Sequence, residues 1–255
     1  MSPARRTHIA LALCFGLAAA AFTSRSNEAA ACDKETYTII IDAGHTEEEP
    51  GATSARGVSE FVFNVNLARD VTAALAAAGF RKAEMLVTKG KGRAALYSRP
   101  AYANRKGAQL FLSIHHDSVQ PQYLEPWTDS GTTQYFSDRF RGFSLFVSNL
   151  NAHKDQSLAF ATLLGDELLS RGLSFTAHHA EDIKGERKPF LDPKRGIYRY
   201  DQLAVLRVAS APAVLLEAGV IVNRTEELDA ASPERRNTIA NAVVAAVTRF
   251  CRTQN

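Results

Sequence analysis

The sequence predicts a single three-layer α/β/α domain around a mostly parallel twisted sheet, and three observations predict it. Short β-branched apolar runs alternate with segments of helical period from residue 37 to the C-terminus. No repeat, low-complexity tract or long Pro/Ser linker interrupts the chain after residue 36. A length of 255 residues, 45% hydrophobic and 22% charged, suits one well-filled core.

Thr38 to Ile41 is a β-branched run of strand length, broken by Ala43-Gly44, so His45 stands at its carboxyl end. Pro50, Gly51 and Gly57 turn the chain, and Ser59 is placed to cap a helix running to Ala78. Its apolar face is Phe61, Val65, Ala68, Val71 and Leu75, with Glu60 in the first turn. Met85 to Thr88 reads as a strand, and Ala94 to Lys106 as a helix bent or broken at Pro100. Further strands are expected at Gln109–Ile114, Thr132–Phe136, Phe143–Ser148 and Ala213–Leu216. Ser157 to Ser170 is an amphipathic helix, and Pro233 to Arg252 another, with Ser232 as its cap. Val119–Gly131, with its prolines and Trp127, and the polar Thr176–Gly196 read as long surface loops.

Residues 1–31 read as a secretory signal peptide and 32–255 as the folded domain. Arg5 and Arg6 precede a 14-residue apolar run, Ile9 to Phe22, and Ala29-Ala30-Ala31 offers a small-residue cleavage site. That run is too short to span a bilayer comfortably, so no stable membrane span is expected after cleavage. The net charge of +3 includes three arginines before residue 26, so the remaining chain is near neutral and nothing points to nucleic acid. Cleavage would leave two cysteines, Cys32 and Cys251, either joined in one terminus-to-terminus disulfide or present as two thiols.

Three strands deliver His45, His115 and Glu217 to their carboxyl ends, and Glu60 opens the helix after the first. In a parallel sheet those ends share one edge, where ligands bind. Two imidazoles and a carboxylate are the ligand set of a catalytic zinc site. A further carboxylate outside the metal shell is what such a site needs as general base. The spacings of 15, 55 and 102 residues match no local zinc motif of the H-E-x-x-H kind, so this reading rests on strand-end placement.

The order I-D-A-G-H, G-x-x-E, S-I-H-x-D-S, then L-L-E-A-G-V-I-V-N with Glu226-Glu227-Leu228, closely resembles the zinc-dependent N-acetylmuramoyl-L-alanine amidases (the Amidase_3 family) across roughly residues 37 to 250. The resemblance implies one zinc ion bound by His45, Glu60 and His115, with Glu217 catalytic. It also implies hydrolysis of the amide joining N-acetylmuramic acid to L-alanine in peptidoglycan. Peptidoglycan is then the partner, with an activator protein as a further one, and the chain is exported, to the periplasm or beyond. Thr46-Glu47-Glu48-Glu49 stands where the family often has Gly-Gly and Asp, and Val220 where Phe is usual. Some members carry an autoinhibitory helix in the middle region; Val119–Gly131 is short and Pro-containing, which argues against one. Two alternatives use the same residues: a zinc peptidase acting within the stem peptide, and a catalytically silent wall-binding regulator.

Alternation along a strand turns His116 away from His115, to pack rather than ligate. His153, His178 and His179 are expected in solvated loops, and Arg207 in a structural ion pair. Asn223 is expected to shape the turn after Glu217. Asp42 either orients His45 or ends its strand. Trp127 is expected to pack against the core. No substrate-binding residue is assigned.

Overall fold

In the computed structural model, which describes Met1 and residues 32–254, the expected three layers form. The leader expectation lies outside the described residues. The strands are β1 (Ile39–Ala43), β2 (Ala83–Val87), β3 (Leu110–Asp117), β4 (Glu125–Asp129), β5 (Thr132–Phe136), β6 (Ser144–Val147), β7 (Phe190–Asp192), β8 (Ile197–Arg199) and β9 (Ala213–Val220). The helices are α1 (Glu60–Ala77), α2 (Gly92–Arg105), α3 (Lys154–Ser170), α4 (Ala204–Val208), α5 (Glu226–Ala231) and α6 (Pro233–Arg252). Seven strands form the main sheet in the order β2-β1-β3-β9-β6-β8-β7. β2, β1, β3 and β9 run parallel; β6 turns antiparallel to β9, and β7 antiparallel to β8.

Side-chain alternation divides the core. Ile39, Ile41, Leu110, Leu112, Ile114, Val214 and Leu216 pack against α1, α3 and α6. Ile40, Phe111, Phe146, Leu215 and Tyr198 face Ala103 of α2 and Val205 and Leu206 of α4. Each large side chain so buried contributes about 1.5–3 kcal/mol. Cys32 and Cys251 are disulfide-bonded with Cα atoms 5.3 Å apart, tying the start of the described chain to the last turn of α6.

Several elements differ from the sequence expectations. β3 and β9 are longer than their apolar runs, so His115 and Glu217 lie within strands rather than beyond them. Val119–Gly131 is not a loop: β4 pairs with β5 in a separate antiparallel ribbon. Thr176–Gly196 holds a 3-10 turn at His178–Ala180 and strand β7. Helix α2 starts at Gly92 and runs unbroken through Pro100. The carbonyl that Pro100 cannot bond belongs to Leu96, a residue that is 42% exposed. Ser59 makes no side-chain cap; the Glu60 and Phe61 amides instead donate to Ala52 and Pro50 carbonyls at 2.8 and 3.0 Å. Ser232 does cap α6, accepting from the Arg235 amide at 3.1 Å.

Candidate active site

Register assembles the site. His115 on β3 is the direct neighbour of Glu217 on β9, two residues beyond the pair Ser113–Leu215. Period-two alternation therefore projects both side chains from the same sheet face. One step back on that face, Asp42 of β1 pairs with Ser113. Helix α1 lies on the opposite face, but its first residue reaches over the carboxyl edge: Glu60 Oε1 is 3.0 Å from His115 Nδ1, and Oε2 is 3.0 Å from His45 Nε2. The two imidazole centroids are 4.9 Å apart.

Buried scaffolding holds this trio. The Asn64 amide donates to Glu60 Oε1 (3.1 Å) and the Gly44 carbonyl (3.2 Å), while its Oδ1 meets His116 Nδ1 at 2.8 Å. The Ala52 amide donates to Glu60 Oε2 at 3.0 Å. Two glycines make room. A Cβ on Gly44 would lie 2.3 Å from His115 Nε2, and one on Gly51 would lie 2.3 Å from Glu60 Oε2. His45 adopts φ +66°, a left-handed conformation costly for a residue with a side chain. Arg99 clamps it there: its guanidinium donates to the carbonyls of Ala43 (2.9 Å) and His45 and pairs with Asp42 at 3.0 Å. Asp42 and Arg99 are 0% and 4% exposed, and Ser113 Oγ donates to Asp42 at 2.7 Å. Asp42 thus acts on His45 through Arg99 and the backbone rather than on the imidazole.

The trio fits a metal ion. Its three donor atoms lie within 4.8 Å of one another, and nitrogen and carboxylate oxygen together suit zinc. Burial raises the proton affinity of Glu60, but hydrogen bonds from His115 and His45 outweigh it and hold the carboxyl well below the usual range. Glu217 behaves oppositely: burial, then the negative charges of Asp117 and Glu60, push its carboxyl well above that range. Its Oε2 is buried with no hydrogen-bond partner. His45, His115 and Glu217 line one cavity of about 660 Å³.

His116 is buried against Phe63 and Asn64, as alternation predicts, and burial lowers its pKa to about 4. Asn223 shapes its turn, accepting from the Thr225 and Glu226 amides. His153 is exposed, and so is Arg207, which makes no ion pair among the described residues. Trp127 sits half-buried in the β4–β5 ribbon and donates to the Ala55 carbonyl at 2.8 Å. His178 and His179 are not solvated but 2% and 6% exposed, and His179 lines the cavity. In the acidic run after His45, Glu48 and Glu49 accept from the Gly90 and Gly92 amides, tying the run to the start of α2.

Fold and site together define a three-layer α/β/α domain whose sheet edge carries a residue group able to hold a metal. The chain belongs to the Amidase_3 family, N-acetylmuramoyl-L-alanine amidase, which it matches over residues 39–249. It is 25% identical over 223 residues to the N-acetylmuramoyl-L-alanine amidase AmiA of Escherichia coli (strain K12), covering 83% of this chain and 75% of that protein. The crystal structure of the N-acetylmuramyl-L-alanine amidase Ami1 from Mycobacterium smegmatis has the same fold, with TM-score 0.63 and 23% identity over 86% of this chain and 98% of that one. The catalytic domain of the amidase CwlV from Bacillus (Paenibacillus) polymyxa var. colistinus aligns with TM-score 0.61 and 25% identity, over 84% and 97%.

Proposed function

We propose that this cell-wall amidase hydrolyses the amide between N-acetylmuramic acid and L-alanine of peptidoglycan using one zinc ion held by His45, Glu60 and His115, with Glu217 as general base and then acid. The observation that carries the assignment is the His115–Glu217 register pair, which sets an unpartnered carboxylate beside the donor trio in one cavity. Zinc bound there would supply Lewis-acid polarisation of the scissile carbonyl and acidify a nearby water.

Glu217 takes a proton from the attacking water as its oxygen bonds to the carbonyl carbon. It returns that proton to the amide nitrogen as the C–N bond breaks, leaving a lactyl carboxylate and the amino group of L-alanine. A carboxyl of raised proton affinity suits both transfers, because it is a stronger base than an exposed glutamate and still a competent acid. Glu60 accepts five hydrogen bonds or imidazole contacts, so it is committed to holding the trio and not to proton transfer.

Glu217→Gln should keep its metal and lose amide cleavage by at least about 10²-fold. A fully active variant would remove Glu217 from the reaction. His45→Ala should lose the metal as well. Export is part of the same proposal, with residues 1–31 as the secretory leader, 32–255 as the catalytic domain and the periplasm as the destination. The Cys32–Cys251 disulfide supports it, since such bonds persist in oxidising compartments. Among the described residues no helix is long and apolar enough to cross a membrane.

A further inference from the structure

A second group of ionisable side chains, Asp117, His178 and His179, reaches the cavity through Asp117 and His179 and has no part in the reaction above. Asp117 Oδ2 lies 2.7 Å from His179 Nε2 and 3.2 Å from His178 Nε2. The two imidazoles are tilted at 37° with centroids 4.0 Å apart. All three atoms are buried, yet none makes a directional hydrogen bond: the contacts are close but out of line. Leaving three such atoms unsatisfied in a protein interior is costly.

The remaining ring nitrogens explain why the Nε2 atoms face Asp117. His178 Nδ1 meets Thr176 Oγ1 at 2.9 Å, and His179 Nδ1 meets Glu186 Oε2 at 3.0 Å. Glu186 is itself fixed by Gln120 Nε2 and Lys188 Nζ, both at 2.8 Å. A carboxylate accepting from Nδ1–H leaves neutral His179 with a bare lone pair on Nε2. That lone pair then faces a carboxylate oxygen at 2.7 Å, an arrangement that requires positive charge between them. An extra proton on Nε2 would supply part of it, since against the opposing effect of burial the Asp117 and Glu186 carboxylates raise the His179 pKa to about 9, but the ring orientation holds that N–H out of line with Asp117 Oδ2 and leaves His178 Nε2 without a partner. A cation at the point both rings and the carboxylate converge on would satisfy all three.

We infer that Asp117, His178 and His179 form a second divalent-cation site, distinct from the His45–Glu60–His115 group. Its donor atoms lie within 4.8 Å of one another, and a tetrahedral ion about 2.0–2.1 Å from each would space them about 3.3 Å apart. Little movement is needed. Two imidazoles and one carboxylate select zinc or cobalt over magnesium or calcium, which prefer all-oxygen shells. Glu186 supplies what such sites commonly carry, a carboxylate that fixes the tautomer of a ligating histidine. The ion would lie in the cavity that Glu217 lines and would offset the charge of Asp117. None of the motifs that carry the family resemblance contains His178 or His179.

The test counts metal ions. Purified protein is stripped, reloaded with zinc, cleared of excess and analysed for zinc per chain, and a parallel cobalt(II) titration follows the visible absorption. Two ions per chain are expected in the unmodified protein, one in His179→Gln and one in His45→Ala, with two equivalents of cobalt needed to reach saturation. One ion per chain, kept in His179→Gln and lost in His45→Ala, would overturn the second site and leave the first. One ion kept in His45→Ala and lost in His179→Gln would support the second site and overturn the first. If His179→Gln fails to fold, saturation of the unmodified protein at one equivalent of cobalt overturns the inference by itself.

Discussion

Arg99→Met tests how the scaffold makes the site. Arg99 and Asp42 are 5% and 0% exposed at their side chains, and the variant leaves Asp42 buried with only the Ser113 hydroxyl as a partner. Removing one member of a buried ion pair costs about 3–5 kcal/mol. Two carbonyl contacts, at Ala43 and His45, go with it, and the left-handed His45, itself about 1–3 kcal/mol above ordinary backbone, loses its clamp. Urea unfolding should therefore show a loss of about 3–5 kcal/mol at neutral pH, and zinc affinity, read by chelator competition, should fall about 10–100-fold. The two effects separate in Asp42→Asn/Arg99→Met: with no orphaned charge, most stability returns, but the His45 carbonyl is still unheld and zinc stays weak. Burial already raises the Asp42 pKa, so without Arg99 the stability loss should shrink as falling pH protonates that carboxyl. Arg99→Met within 1 kcal/mol of the parent, or binding zinc at full strength, would refute the reasoning.

Other outcomes follow from the same structure. Cys32→Ser should lower stability by up to about 5 kcal/mol, because the bond closes a loop of 219 residues, and the parent should show no titratable thiol among this pair when denatured without reductant. Glu226 accepts from the Gly142 and Val220 amides, but burial outweighs them and raises its pKa. The folded protein therefore holds that proton more tightly than the unfolded chain, and stability falls as pH climbs from about 4.5 through the folded pKa. Glu226→Gln removes that contribution, so the parent-minus-variant difference in urea midpoint should become more unfavourable to the parent across this window; a flat difference would contradict it.

The layered α/β/α plan was legible because hydrophobic period switches cleanly between two and 3.6 along the chain. His45 and Glu60 were legible as well, since a glycine break and a helix start mark their places. The ends of β3 and β9 were not. His115, Asp117 and Glu217 are polar, and polarity within a strand reads as its end when the sheet face it meets is unknown. Register is a tertiary fact, so the His115–Glu217 pairing has no local trace. The β4–β5 ribbon did leave one: Ser130-Gly131, both with positive φ, is a two-residue hairpin turn that the neighbouring prolines masked. Nothing local in the sequence marks Arg99, because its buried partner Asp42 lies 57 residues earlier. His178 and His179 sit in a stretch whose polarity predicts solvent, but Phe140, Phe146 and Tyr198 cover their rings while Asp117, Glu186 and Thr176 face the ring nitrogens.

The most direct test of the central claim is digestion of purified sacculi by the protein, with and without a zinc chelator, followed by analysis of the fragments. The account predicts chelator-sensitive release of intact stem peptides beginning at L-alanine, with free lactyl groups left on the glycan and no release by Glu217→Gln. New amino termini inside the stem, release unaffected by the chelator, or undiminished release by Glu217→Gln would contradict it.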